Sequence, residues 1–269
     1  MSSHKYKIIA ADLDGTLLDK SKNISDRNKK ALLEAHRRGV HIVLATGRPP
    51  RAASWVFMEC GIESGIVLGS GGACVELYPS GEKLYEAVFA DSGVMPEVIR
   101  YSRERDFFCF GMCGSDYYYE RRGPSEDFII NYMKYAGVFG DLLEAGVEFN
   151  KSDLLVDESV QEEVLRELGA SLEGRAELYL ADRGVIDVNP VGVDKGAALI
   201  KIAGYLGCKT EDVIAFGDTA NDVSMLKTAG LGVCMANGMS EALAAADMRA
   251  PSNEESGVGR VIERFVLNG

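Results

Sequence analysis

The chain is poor in the residues that most metal and acid–base sites are built from. Three histidines occur in 269 residues, and the six cysteines include no Cys-x-x-Cys pair. His4, His36 and His41 form no cluster, so histidine catalysis and zinc coordination are not expected. Cys60, Cys74, Cys109, Cys113, Cys208 and Cys234 lie mostly in apolar segments. They read as buried free thiols of a reducing compartment. Positive charge is short as well: 29 Lys and Arg stand against 41 Asp and Glu, a net charge of −12. A broad basic face is therefore excluded, and neither nucleic acid nor an anionic membrane is an expected partner. No apolar run approaches the roughly 20 residues of a membrane span. The opening Met-Ser-Ser-His-Lys-Tyr-Lys has no apolar stretch of a secretory leader, so a cytoplasmic location is expected. The remaining composition, 46% apolar and 26% charged, is that of an ordinary globular protein. The length suits one large domain or two unequal ones.

The first third alternates apolar strands with helices. Residues 6–11 read as a buried strand that ends on Asp12-Leu13-Asp14-Gly15-Thr16. Ser25-Asp26 opens a helix with Ala31, Leu32 and Ala35 on one face, and Gly39 ends it. Residues 40–45 are the next strand. Thr46-Gly47-Arg48-Pro49 follows, and a helix is predicted from Pro49 to Gly61. Residues 66–68 form a third strand. This rhythm predicts a doubly wound α/β sheet, parallel with helices on both faces. Residues 74–78 and 83–86 then read as a hairpin.

From about residue 90 to 187 the texture changes. A helix is expected at 94–103, aromatic strands at 107–110 and 117–119, a helix at 162–168, and strands at 177–180 and 185–188. That segment reads as an inserted α+β domain (90–187), with 1–89 and 188–269 forming the α/β core. The α/β pattern resumes with a helix at 195–206 and a strand at 213–216, followed by Gly217-Asp218-Thr219-Ala220-Asn221-Asp222. A helix at 223–229, a strand at 231–235 and a last helix at 256–266 complete it.

Four features in the core carry chemistry. Asp12 and Asp14 end the first strand; two carboxylates so close resist ionising together, a penalty that a divalent cation removes. Thr46 ends the second strand, where a hydroxyl and backbone N–H groups can hold a phosphate oxygen. Lys195 opens a helix, where a cation opposes the helix dipole and so points to an anion. Asp218 and Asp222 form a second acidic pair at a strand end. Singly, each has an ordinary account: turn acids, a strand–helix turn, a solvated lysine, a carboxylate at a helix N-terminus. Together they fall at one edge of an open parallel sheet, the carboxyl ends of its strands, where ligands bind.

These segments resemble the haloacid dehalogenase superfamily, specifically its Cof-type phosphatases with a type IIB cap. The matching residues are Asp12-Leu13-Asp14-Gly15-Thr16, Ala45-Thr46-Gly47-Arg48, Asp194-Lys195-Gly196 and Gly217-Asp218-Thr219-Ala220-Asn221-Asp222. Residues 232–237 and 252–258 match more loosely, and the likeness is weak in the insertion. The family often has Asn-Gly-Ala where this chain has Gly71-Gly72-Ala73, and Gly-Asn-Ala where it has Ala236-Asn237-Gly238. The resemblance implies Asp12 as nucleophile and Asp14 as general acid and base. It implies Mg²⁺ held by Asp12, the Asp14 backbone carbonyl and Asp218, with Asp222 beside them. Thr46, Gly47, Lys195 and Asn221 would bind the phosphoryl group.

The expected activity is Mg²⁺-dependent hydrolysis of small phosphorylated metabolites, sugar phosphates foremost, by a monomer or weak homo-oligomer. A phosphomutase of the same superfamily stays open, as does a non-catalytic phosphometabolite sensor, although a pure binder has no use for Asp14. In the insertion, Arg121, Arg122, Lys151 and Tyr117–Tyr118–Tyr119 are the conspicuous residues. The arginines read as a solvated turn and the tyrosines as packing.

Overall fold

The structure is a computed structural model and describes residues 5–268. His4, one of the three histidines, lies outside the described residues. The chain runs through β1 (Ile8–Asp12), α1 (Asp26–Arg37), β2 (His41–Ala45), α2 (Trp55–Cys60), β3 (Gly65–Gly69), β4 (Cys74–Tyr78) and β5 (Lys83–Glu86). It continues through α3 (Val94–Glu104), β6 (Phe108–Cys113), β7 (Asp116–Tyr119), α4 (Pro124–Met133), β8 (Val138–Phe139), β9 (Lys151–Leu155), α5 (Gln161–Ser171), β10 (Ala176–Asp182) and β11 (Val185–Pro190). It closes with α6 (Lys195–Tyr205), β12 (Val213–Gly217), α7 (Val223–Thr228), β13 (Leu231–Cys234), α8 (Ser240–Ala245), β14 (Met248–Arg249) and α9 (Gly257–Ile262).

These strands make two sheets. The first has the order β14-β13-β12-β1-β2-β3-β4-β5. It is parallel from β14 to β3 and ends in the antiparallel β4–β5 hairpin. Successive side chains of its strands point to opposite faces, so two apolar layers form. Ile9, Ala11, Ile42, Leu44, Ile214 and Phe216 pack with Ala31, Leu32 and Ala35 of α1 and Val258, Val261 and Ile262 of α9. Ile8, Ala10, Val43, Ala45, Val213 and Ala215 pack on the other side with Ala198, Leu199 and Ile202 of α6 and Met225 and Leu226 of α7. The doubly wound α/β core expected from the strand–helix alternation is this arrangement. Burial on both faces is why its strands carry continuous apolar runs. The polar residues that end those strands are therefore the ones left over for chemistry.

The second sheet has the order β10-β11-β9-β6-β7-β8 and is antiparallel except between β7 and β8. On one face, Cys109, Leu154 and Val188 pack against Val94 and Val98 of α3, Leu168 of α5 and Leu172 just after it. On the other face, Phe108, Phe110, Met112, Tyr117 and Tyr119 pack with Ile129 and Met133 of α4 and with Ala52 of the first half. That contact turns the second face toward the Asp12 edge of the first sheet.

Several elements differ from the sequence-based expectation. The helix predicted from Pro49 to Gly61 is split into a 3₁₀ turn, Pro50–Ala52, and α2. Two consecutive prolines remove two N–H donors, so a regular helix cannot begin there. The predicted last helix ends as α-helix at Ile262 and continues as a π-helical turn over Glu263–Leu267. α4 and β9 were not anticipated. α4 carries the signature of a helix start, with Pro124 at its first position and Glu126 accepting from the Gly123 N–H at 3.4 Å. β9 reads Lys-Ser-Asp-Leu-Leu and is buried in spite of its charges, so no apolar pattern announces it. Among the described residues, no helix is long and apolar enough to cross a membrane.

Candidate active site

β1 is wholly buried and lies between β2 and β12, so its last residue, Asp12, emerges in the middle of the sheet edge. Lys195 is the first residue of α6, whose start is fixed by Asp194: its Oδ1 accepts from the Ala197 N–H at 2.7 Å. Packing of α6 on the sheet places the Lys195 ammonium under Asp12. Its Nζ donates to Asp12 Oδ1 at 2.8 Å and to Asp222 Oδ1 at 2.6 Å. The lysine is 1% exposed, so the solvated-lysine account fails. The anions that answer the cation at this helix start are two carboxylates of the protein itself.

Asp218 follows β12 and its Oδ1 accepts from Thr16 Oγ1 at 2.7 Å. The turn after Asp12 comes very close to it. Gly15 has φ +83°, and a Cβ there would lie 2.2 Å from Asp218 Oδ2. Only glycine fits this conformation and this approach. Asp222 is fully buried and its oxygens are occupied. Oδ1 faces Lys195, while Oδ2 accepts from the backbone N–H groups of Asp218 at 2.9 Å and Thr219 at 3.0 Å. Asp12, Asp218 and Asp222 each bring a carboxylate oxygen within 4.8 Å of the others. An all-oxygen, anionic, buried set of this kind fits a hard divalent cation and suits neither copper nor zinc as well. Burial pushes the Asp12 carboxyl up, against the pull of Lys195. Burial, with Asp222 adding to it, pushes Asp218 up to about 7. Both shifts describe carboxylates crowded together with one ammonium, a strain that a bound cation relieves.

Asp14 is held differently. Arg48 grips it with both arms: Nη2 donates to Oδ1 at 2.6 Å and Nε to Oδ2 at 2.9 Å. Lys22 Nζ donates to Oδ1 at 2.6 Å, and the Tyr132 hydroxyl to Oδ2 at 3.2 Å. Burial alone would raise this carboxyl, but Arg48 and Lys22 outweigh it and hold it below its ordinary value. Arg48 is 1% exposed, donates through Nη1 to the Tyr132 carbonyl at 2.6 Å, and lies 4.0 Å from the centre of the Tyr132 ring. Tyr132 belongs to α4, so one arginine ties the first sheet's edge to the second sheet's helix.

Asp12, Asp14, Thr46, Gly47 and Asn221 all line one cavity of about 130 Å³. Thr46 is buried and its Oγ1 accepts from the Arg48 N–H at 3.2 Å. The Asn221 side-chain oxygen accepts from Thr219 Oγ1 at 2.9 Å. The opposite wall comes from the second sheet and α4: Phe110, Phe128, Ile129, Tyr132, Lys151, Asp153, Leu155, Asp182, Val185 and Asp187. Phe128 and Tyr132 stack in parallel, 6.0 Å between ring centres.

Of the conspicuous insertion residues, Lys151 reaches the cavity and the others do not line it. Arg121 pairs with Asp106 and Arg122 with Glu126 at the surface. Tyr117 and Tyr119 stack on each other on one face, and Tyr118 packs on Phe149 on the other, as their alternation along a strand requires. Arg48, Lys22, Tyr132, Phe128, Asp153 and Asp187 were missed as site residues. Arg48 had a signal, since it follows Gly47 directly at a strand end. Asp153 and Asp187 had a weaker one: Asp153 shares a strand face with Lys151, and the register sets Asp187 opposite Asp153.

Known proteins share this architecture. A family model described as haloacid dehalogenase-like hydrolase matches residues 9–262. The 5-amino-6-(5-phospho-D-ribitylamino)uracil phosphatase YcsE of Bacillus subtilis is 32% identical over 263 residues, covering 97% of this chain and 96% of that protein. A haloacid dehalogenase-like hydrolase from Bacteroides thetaiotaomicron superposes with a TM-score of 0.87 at 30% identity, covering 97% of this chain and 99% of its own. The HAD subclass IIB sugar phosphatase BT4131 superposes with a TM-score of 0.82 at 23% identity, covering 96% and 98%, which bears on the fold. The chain belongs to the haloacid dehalogenase-like hydrolase family, as one of its Cof-type phosphatases.

Proposed function

We propose that the chain hydrolyses phosphomonoesters of small metabolites, sugar phosphates foremost, through an aspartyl-phosphate on Asp12, with Mg²⁺ as cofactor. The carrying observation is Asp12 itself: a strand-end carboxylate at the cavity floor, paired with a buried lysine and within 4.8 Å of two further carboxylates. The relatives named as phosphatases of a phosphoribityl compound and of a sugar phosphate support this substrate range.

Asp12 and Asp218 would hold the metal, together with the Asp14 backbone carbonyl. Asp222 has both oxygens engaged, so it serves by fixing Lys195 and the 218–219 backbone. Mg²⁺, when bound, supplies charge neutralisation at the transferring phosphoryl group. Phosphoryl transfer needs little else beyond positioning and charge. An Asp12 oxygen attacks phosphorus and the ester oxygen leaves, taking a proton from Asp14. Water then attacks phosphorus, gives its proton to Asp14, and phosphate departs with the Asp12 carboxylate restored. Thr46, Gly47, Lys195 and Asn221 line or flank the path of the phosphoryl oxygens. As it stands, Asp14 is an ionised base held by Arg48 and Lys22. Its acid step requires that grip to loosen when the substrate enters.

The test is phosphate release from a panel of sugar phosphates, phosphoglycolate, nucleotides and p-nitrophenyl phosphate, with Mg²⁺, with EDTA, and with Asp12→Asn. Mg²⁺-dependent release lost in the variant is expected. Release that survives EDTA overturns the metal assignment. No release, with isomerisation of a sugar monophosphate primed by a bisphosphate, would point to a mutase instead.

A further inference from the structure

Which ester the cavity accepts depends on the wall formed by β9, β11 and α4, and the charge of that wall is its informative property. Among the described residues that line the cavity, the carboxylates are Asp12, Asp14, Asp153, Asp182 and Asp187, and the one cation is Lys151. Lys151 is 1% exposed and already engaged. Its Nζ lies 2.8 Å from Asp153 Oδ1, 2.9 Å from Asp187 Oδ2 and 3.4 Å from the Gly47 carbonyl oxygen. The two carboxylates match the charge of the ammonium within the wall itself. The neighbouring cations are occupied too: Lys195 by Asp12 and Asp222, Arg48 by Asp14. A cation bound at Asp12 and Asp218 would balance the phosphoryl group being transferred. On the opposite wall, among the described residues, no cation other than the engaged Lys151 is present to balance a second anion.

The same wall is rich in acceptors. Each of Asp153 and Asp187 sets one oxygen against the ammonium, and Asp187 stands close beside Asp153. Asn189 lies two residues after Asp187 on the same strand face. It is 4% exposed, and its Oδ1 has no hydrogen-bond partner among the described residues. That oxygen lies beside Gly71, in a neighbouring cavity that Asp187 and Asn221 also line. Buried acceptors of this kind bond strongly to hydroxyl or ammonium donors and repel carboxylate or phosphate. Phe128, Tyr132, Leu155 and Val185 cover the carbon skeleton between them.

We infer that this wall selects phosphoesters whose leaving group carries hydroxyl or amino groups and no second anion. Asp153 and Asp187 are the specificity-determining residues, and Lys151 holds them in place. The inference rests on the phosphatase reading and names the substrate class of that same site. It disfavours a sugar bisphosphate as ligand, and with it a mutase reaction.

The experiment compares kcat/KM for esters of matched skeleton in the Mg²⁺-loaded enzyme, with p-nitrophenyl phosphate as reference. Glucose 6-phosphate and sorbitol 6-phosphate have uncharged leaving groups; 6-phosphogluconate and glucose 1,6-bisphosphate carry a second anion. The uncharged pair is expected to exceed the anionic pair by at least about tenfold, since like charges at a binding surface are costly. Asp187→Asn is expected to narrow that ratio, mainly through a lower KM for 6-phosphogluconate. Asp182→Asn, at an exposed position of the same wall, should narrow it less and does not depend on tolerance of a buried substitution. An equal or reversed ratio in the wild type overturns the inference while release itself upholds the phosphatase. A ratio unmoved in both variants overturns the assignment to these carboxylates. No release from any ester, p-nitrophenyl phosphate included, overturns the phosphatase reading and the inference with it.

Discussion

Lys195, on a helix packed against the first sheet, and Lys151, on a strand of the second, are built alike. Each is 1% exposed, and each ammonium sits between two buried aspartates. Their origins differ. Lys195 gathers Asp12 and Asp222 from distant parts of the chain, each delivered by the end of a β-strand or the start of a helix. Lys151 gathers Asp153 from its own strand and Asp187 from the strand beside it. Burying three charges together is tolerable only when they compensate one another, so both clusters meet the same physical demand. What separates them is position: one surrounds the carboxylate that would be phosphorylated, the other faces the group that would leave. Burial of a lysine between two aspartates is therefore common to both sheets and does not by itself tell the two clusters apart.

The largest effect expected on this comparison is at Asp12. Asp12→Asn should lower phosphate release by at least about a thousandfold, because an amide is no nucleophile toward phosphorus. Its melting temperature should change little, since the amide oxygen still accepts from Lys195 while one crowded charge is gone. Near wild-type turnover would remove Asp12 from the chemistry.

Next come the two lysines, made in parallel. Lys195→Ala and Lys151→Ala each leave two buried carboxylates without their cation, and each should lose about 3–5 kcal/mol of stability in denaturant titration. Their kinetics should part company. Lys195→Ala should lower p-nitrophenyl phosphate turnover by at least about a hundredfold. Lys151→Ala should lower it by less than about tenfold and act mainly on KM and substrate choice. An equal collapse of kcat in both variants would break the distinction between the two clusters.

A smaller effect should appear in the pH dependence of stability. Burial, and Asp187 beside it, raise the Asp153 carboxyl well above its ordinary value of 3.8. A raised folded value favours the protonated fold. The contribution is present in full below about 3.8 and is lost as pH rises through the folded value. Asp153→Asn cannot lose it. The melting temperature of wild type minus that of the variant should therefore shrink between pH 4.5 and pH 8. A difference that stays constant would mean that Asp153 titrates like an exposed acid.

The smallest effect should fall outside both clusters. Arg122 is largely exposed and pairs with Glu126 four residues on. Arg122→Ala should leave kcat/KM unchanged and shift the melting temperature by at most about 2 °C. A marked kinetic change would bring the Arg121–Arg122 turn into the site after all.

The two halves also differ in how far the sequence discloses them. In the first, continuous apolar runs, Ser25 and Asp194 as helix caps, and polar residues at strand ends marked the α/β core and most of one wall of the cavity. In the second, the helices and aromatic strands were visible, but α4 and β9 were not. β9 hides because its alternate positions, Lys151 and Asp153, are charged and buried, against the rule that links charge to solvent. Arg48 was legible as part of Thr46-Gly47-Arg48, yet not as the residue that grips Asp14.

By itself the sequence determined the doubly wound core and the family, and it offered Asp12, Asp14, Thr46, Lys195 and Asp218 as candidates for one site. Local rules suffice for the core, because strand and helix periodicities and their end signals act over a few residues, while the family came from the resemblance of the motifs. Tertiary structure alone decided that Asp222 fixes Lys195, that Arg48 joins Asp14 to Tyr132, and that Asp153 and Asp187 meet across Lys151. Those contacts depend on strand register and on how one sheet packs against the other. Such relations belong to residues far apart in the chain, and no local pattern encodes them.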